Sequence, residues 1–175
     1  MADILVTTYL EMRDRTSFRP AYLHDSSSIN IMLMGIPDVC FYRFLYRTVG
    51  EKWCWRDRLK LSDREMEAIL AEPGTSVHVL YVRGTPAGYI ELSQGKQSTE
   101  IAYFGLRSSY MGKGLGKHLL SYGVDYGWDR GAKRLWVHTC SLDGPYALNN
   151  YLKRGFKIYN SYEEPMPNRA AWRQP

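Results

Sequence analysis

The stretch that decides the reading is TEIAYFGLRSSYMGKGLGKHLLSYGVDYGWDRG, residues 99–131. It opens with TEIAYFGL (99–106), whose β-branched and aromatic residues suit a strand. A glycine-rich turn, MGKGLG (111–116), leads into a helical pattern that runs to Asp129. Gly112, Gly114 and Gly116 admit backbone angles closed to other residues and let a ligand approach the main chain. A helix starting there presents unpaired N–H groups and a partial positive charge of roughly half a unit, so the turn reads as an anion site. The charges agree: the first turn carries Lys113, Lys117 and His118, with no acid before Asp125. Lysines at that end oppose the helix dipole by roughly 0.3–1 kcal/mol each, and a bound polyphosphate reverses the sign.

Spacing excludes two common phosphate binders. A P-loop requires GxxxxGK followed by Ser or Thr; here Gly112 to Lys117 is one residue short, and His118 stands where the hydroxyl belongs. A dinucleotide turn requires GxGxxG, and the spacing here is GxGxG with Leu119 beyond it. Past the turn, at roughly 100° per residue, Leu115, Leu119, Leu120, Tyr122, Gly123, Val124, Tyr126 and Gly127 form one face. Lys117, His118, Ser121, Asp125 and Asp129 form the other. Two glycines within the apolar face suit a helix crossing a sheet at close range.

Working outward, Ile4 to Met12 reads as a strand and Pro37 to Val49 as a helix with Pro37 in its first turn. Trp53 and Trp55 fall in a loop. SDRE (62–65) is a capping box opening a helix to Ala71, which Pro73-Gly74 ends. SVHVLYVR (76–83) and PAGYIEL (86–92) read as a hairpin. After the glycine turn and its helix, RLWVHTC (134–140) is a strand, Pro145 to Arg154 a helix stopped by Gly155, and FKIYNSY (156–162) a last strand. Two stretches read as loose, residues 14–30 and 165–175. The order predicts an α+β fold, a mixed and mostly antiparallel sheet flanked by helices, in one domain over 1–175.

Composition narrows the function classes. With 175 residues, 45% hydrophobic and 23% charged, the chain can bury one full core and is neither a disordered tail nor a coiled coil. The net charge of +5 suits an anionic ligand, and because the basic residues are spread along the chain, nucleic acid is not expected as a partner. Cys40, Cys54 and Cys140 are odd in number and form no CxxC, which predicts free thiols in a reducing compartment, with Cys40 and Cys140 buried. MADILVTTYLEMRDR is not a signal peptide, and no apolar run approaches the ~18 residues of a membrane span. A cytoplasmic location is expected. His24 and His78 have no partners at metal-ligand spacing, so no metal is expected. No Gly-x-Ser-x-Gly elbow or Cys/His signature indicates a hydrolase.

Three blocks together resemble the GNAT superfamily of N-acetyltransferases. MGKGLG (111–116) is similar to the family's Q/R-x-x-G-x-G/A pyrophosphate turn at Gly114 and Gly116, with Met111 departing from the usual Gln or Arg. ALNNYLKRGF (147–156) resembles its A-x-x-x-Y-x-x-x-GF block, and EIAYFGL (100–106) the strand before the turn. The blocks stand in family order and cover about 75–160, leaving about 1–74 as the half that would fix acceptor specificity.

The resemblance implies the GNAT acyl-CoA N-acyltransferase fold and transfer of acetyl from acetyl-coenzyme A to a primary amine. It implies coenzyme A contacts at Phe104, Gly105, Leu106, Met111, Gly112, Lys113, Gly114, Leu115, Gly116, Lys117 and Asn149. With Met111 in place of Gln or Arg, coenzyme A binding is expected to be weakened rather than lost. Glu100 is the implied general base, with Glu91 on the neighbouring strand as its rival, and Tyr151 the implied general acid for the leaving thiolate. Tyr103 and His138 are further candidates facing the acceptor. FYRFLYRTVGEKWCWRDR (41–58) suggests an aromatic slot of Tyr42, Tyr46, Trp53 and Trp55 for a cationic amine. A small-molecule amine is the expected acceptor. A protein N-terminus or lysine is the alternative, and a non-catalytic acyl-CoA-binding module a second one. Monomer and homodimer both remain open.

Overall fold

A computed structural model describes residues 4–166. Its elements are β1 (Ile4–Met12), β2 (Ile29–Leu33), α1 (Val39–Gly50), α2 (Asp63–Ala71), β3 (Thr75–Val82), β4 (Thr85–Gln94), β5 (Thr99–Leu106), α3 (Leu115–Asp129), β6 (Leu135–Cys140), α4 (Ala147–Lys153) and β7 (Lys157–Pro165). The strands form one sheet in the order β2-β3-β4-β5-β6-β1-β7. Every neighbouring pair is antiparallel except β5 and β6, so the sheet is mixed and mostly antiparallel, as expected.

Each face of the sheet carries its own core. On one side α3 lays Leu115, Leu119, Leu120 and Val124 over Leu10, Ile90, Ile101, Leu135 and Val137. The crossing is close because Gly123 and Gly127 sit at the contact: a Cβ on Gly123 would stand 2.3 Å from Ile90 Cδ1, and one on Gly127 2.7 Å from Leu135 Cδ2. On the other side α1 and α2 pack Tyr42, Leu45, Tyr46, Val49, Met66 and Leu70 against Val77, Val79 and Tyr89. The spacing 42-45-46-49 puts those four α1 residues on one helical face. Asp38 caps α1 by accepting from the Phe41 N–H at 2.8 Å, so the helix starts after Pro37 rather than at it. The capping box of α2 closes both ways, Ser62 N–H to Glu65 Oε2 at 2.7 Å and Glu65 N–H to Ser62 Oγ at 3.3 Å.

Three expectations need correction. Residues 14–30 are not loose: they end in the edge strand β2, paired from Ile29↔Val82 to Leu33↔His78. The segment before it lies along the polar face of α3, where Ala21 N–H donates to Ser121 Oγ at 2.9 Å and Leu23 N–H to His118 Nδ1 at 3.1 Å. Tyr22 and Arg15 bond Asp125, and Arg15 also bonds Asp129. Ser121 is therefore fully buried, and that helix face is a docking face rather than a solvent face. Cys40 is exposed because the buried stripe of α1 begins at Tyr42. Of the tail expected to be loose, 165–175, Pro165 is the last residue of β7, and residues 167–175 lie outside the described residues.

Candidate active site

The parallel ladder between β5 and β6 has two pairs, Thr99↔Leu135 and Glu100↔Trp136. Beyond them the strands part, β5 continuing to Leu106 and β6 to Cys140. The opposite edge of β5 stays paired with β4 from Gln94↔Thr99 to Gly88↔Leu106, with an irregularity at Ala102. A wedge therefore opens along Ile101–Leu106, and backbone groups on that edge face it instead of a neighbouring strand. Unpaired strand edges are ready to bond an extended ligand.

The glycine turn closes the wide end of this wedge. Gly112 and Gly114 adopt φ of 75° and 74°, angles costly for residues with a Cβ. Gly114 is the N-cap of α3, with no side-chain cap and no acid in the first turn. The N–H groups of that turn are thus free of side-chain partners, with Lys113 and Lys117 exposed beside them. Met111 is exposed ahead of the turn. Leu115 is buried beneath it in contact with the core that holds Leu106. From α4, the Asn150 amide nitrogen comes within 3.9 Å of a Cβ built on Gly116. Asn149, the member of the Asn pair that the sequence block points to, is exposed.

Glu100 stands at the vertex. Its Oε1 lies 3.7 Å from His138 Nδ1 on β6. Burial pushes its carboxyl above the ordinary carboxylate range, against the opposing pull of His138. The rival Glu91 is buried and already engaged: Arg58 donates to its Oε1 at 2.6 Å, and the Tyr42 hydroxyl bonds Oε2. Burial also raises the Glu91 carboxyl, against the pull of Arg58 and Tyr42.

Tyr103 lies between Tyr46, Trp55 and the Arg58 guanidinium, at 5.1, 5.2 and 5.2 Å. On the opposite face of β5, Phe104 meets Tyr151 edge-on at 6.1 Å. Tyr151 is 5% exposed, and burial raises its hydroxyl far above the usual tyrosine value.

The aromatic slot expected over 41–58 is only partly a surface. Tyr42 and Tyr46 are 0% and 1% exposed, because the helical spacing aims them at the sheet, so they line its core rather than a surface slot. Trp55 fills the space over Gly50 and, beside Val49, touches that over Gly105, and Trp53 lies against Gly144, so these two border the wedge from the α1 side. Trp55 Nε1 also donates to Asp143 at 3.4 Å, linking the α1 side to the loop after β6. Four residues that sequence reasoning passed over adjoin this point: Tyr9 and Trp136 stand beside His138, and Tyr159 and Tyr162 stand beside Tyr9. The signal was thin, since each looks like an ordinary strand aromatic until β1, β6 and β7 are set side by side.

The family model described as "Acetyltransferase (GNAT) family" matches residues 41–156. The chain belongs to the GNAT acetyltransferase family. Solved structures agree on the fold. A GCN5-related N-acetyltransferase from Sphaerobacter thermophilus superposes with TM-score 0.67 at 13% identity, over 93% of this chain and 52% of that one. A functionally unknown conserved protein from Staphylococcus epidermidis gives 0.68 at 15%, over 92% of this chain and 60% of that one. An aminoglycoside acetyltransferase from an uncultured soil metagenomic sample, in complex with trehalose, gives 0.61 at 16%, over 73% of this chain and 88% of that one. The GNAT chain described here thus spans 52% and 60% of the length of the first two. The family match includes both the glycine turn and Tyr151. No described helix is long and apolar enough to cross a membrane.

Proposed function

We propose that this GNAT protein transfers acetyl from acetyl-coenzyme A to a primary amine of a small molecule. The observation that carries the proposal is the wedge, with a bare glycine-turned helix N-terminus at its mouth and a half-buried carboxylate at its vertex. The donor set suits a long anionic ligand: uncapped N–H groups with Lys113 and Lys117 for a pyrophosphate, then the free edge of Phe104, Gly105 and Leu106 for an amide-bearing arm. Asn150 adds an amide beside Gly116.

Acetyl-coenzyme A supplies the activated acetyl group: a C–N bond forms to the amine as the C–S bond breaks. Glu100 takes the proton the amine must lose, directly or through one water, and its raised pKa brings it closer to the operating pH. Tyr151 holds a proton for the sulfur, and burial keeps its hydroxyl protonated until that transfer. Backbone N–H groups on the β5 edge stabilise charge on the carbonyl oxygen. Glu91 takes no part, being held by Arg58 and Tyr42. The reaction is followed as release of free coenzyme A thiol. Thiol release that depends on an added amine and is lost in Glu100→Gln supports the reading. Binding of acetyl-coenzyme A without release on any amine favours a non-catalytic acyl-CoA-binding module, and release on peptides alone favours a protein acetyltransferase.

A further inference from the structure

Among the described helices, α1 packs on β4 and β5, and α2 on β3; neither packs extensively on β6, β1 or β7 on that side of the sheet. The side chains there are rings. The Trp136 and His138 rings lie 6.3 Å apart and nearly parallel, and His138 and Tyr9 lie 5.6 Å apart. Tyr9 meets Tyr162 at 5.6 Å and Tyr159 at 6.1 Å. The register explains the grouping, since Tyr9 pairs with His138, and Thr7 with Tyr162. Tyr159 and Tyr162 are 43% and 58% exposed. Isolated exposed rings need no explanation, whereas a continuous run of five marks a surface that meets something apolar.

Two further observations say what it meets. Near one end the floor already holds a cation, for the Arg134 guanidinium sits 4.9 Å from the centre of the Tyr159 ring. At the other end His138 touches Glu100, the carboxylate at the wedge vertex. Carboxylates are otherwise scarce on this face. Glu11 is bridged by Arg13 and Arg134, and Glu164, paired with Leu5, stands at the exposed rim. Such a face suits one ammonium on an aromatic or flat apolar body better than a polycation.

We infer that the floor of Tyr9, Trp136, His138, Tyr159 and Tyr162 is the acceptor site, and that the acceptor is an arylalkyl primary amine with its ammonium at Glu100. The inference rests on the acetyl-transfer reading above. The rings attract the ammonium through their negative faces and shield the ring body of the ligand from water. Tyr9, central to the group, is a specificity residue rather than a catalytic one.

The test uses the intact protein with acetyl-coenzyme A and four acceptors: 2-phenylethylamine, n-hexylamine, spermidine and a tetrapeptide with a free N-terminus. The expected result is a kcat/KM for 2-phenylethylamine about tenfold above the others, in keeping with the size of a cation–π and stacking contribution. Tyr9→Leu raises KM for that amine about tenfold more than it lowers kcat, and Tyr9→Phe restores the parent values. Preference for spermidine or the tetrapeptide, or an unchanged KM in Tyr9→Leu, overturns the inference. Titration calorimetry of 2-phenylethylamine in the presence of coenzyme A separates the two levels. Binding that weakens in Tyr9→Leu without any thiol release upholds the floor and overturns acetyl transfer. No binding at all overturns the floor.

Discussion

Glu100 Oε1 and His138 Nδ1 lie 3.7 Å apart across the last strand pair before β5 and β6 separate. Glu100 stands in the last β5–β6 pair and His138 two residues beyond Trp136, so the carboxylate is half-buried with no guanidinium or ammonium partner among the described residues. Burial raises its pKa. A general base works only when deprotonated, so kcat/KM rises with pH through the raised value, giving an acid limb above the ordinary carboxylate range of about 4.3. Glu100→Gln is expected to lower kcat/KM by about 10²–10⁴-fold and to remove that limb, read from a pH–rate profile of thiol release. An intact limb in the variant would assign it to another group.

Tyr151 is expected to act through its hydroxyl, because its ring is already packed against Phe104 and Phe156. Tyr151→Phe preserves that packing and should leave the unfolding free energy within about 0.5–1.5 kcal/mol of wild type. It should lower kcat by about 10²–10⁴-fold. A large loss of stability with little loss of rate would instead make Tyr151 a core residue.

The buried Arg58–Glu91–Tyr42 group joins the α1–α2 connection to β4. Arg58→Ala leaves a carboxylate with 1% side-chain exposure unpaired, a loss of about 3–5 kcal/mol in urea unfolding. Without Arg58 the folded-state pKa of Glu91 rises further. The folded form then prefers the proton, so the variant is relatively most stable at low pH and loses stability as pH rises toward neutrality. A variant whose stability is unchanged would show that the pair contributes nothing net.

His78 is fully buried between Tyr122 and Tyr126, and burial pushes its pKa down to about 4. Its Nδ1 bonds the Tyr122 hydroxyl, and its Nε2 has no partner among the described residues. A histidine whose folded pKa is depressed gives stability that is present above the unfolded value of about 6.5 and lost as pH falls toward the folded one. Unfolding free energy should therefore drop by roughly 3 kcal/mol more between pH 7 and pH 4 in wild type than in His78→Phe. Parallel pH dependences in the two proteins would contradict the assignment.

Much of the fold was legible in the chain because its signals are local. The capping box at Ser62, the alternation in β3 and β4, and the glycine turn before α3 each depend on residues a few positions apart. The edge strand β2 was missed because Ile29–Leu33 is short, follows a serine run and owes its conformation to β3. Ser121 was misread because helical periodicity reports a polar face, not whether another segment covers it. The candidate site divides along the same line. The proposed phosphate end is written in consecutive residues. The proposed acceptor end is assembled from β1, β6 and β7, which lie far apart in the chain, and only pairing brings Tyr9 against His138.

The measurement that tests the account most directly is thermal unfolding with acetyl-coenzyme A, run beside coenzyme A, ATP and NAD. At a hundred times its dissociation constant a ligand adds about 2.7 kcal/mol, or roughly 5–10 °C in Tm for a chain of this size. The account predicts that shift with the two coenzyme A species alone, and its loss in Gly114→Asp, where a side chain at φ 74° meets Leu23 Cδ2 at 3.0 Å and brings negative charge to the helix N-terminus. No shift with either coenzyme A species, or an equal shift with ATP or NAD, would contradict the assignment of the wedge and of Glu100 and Tyr151 with it.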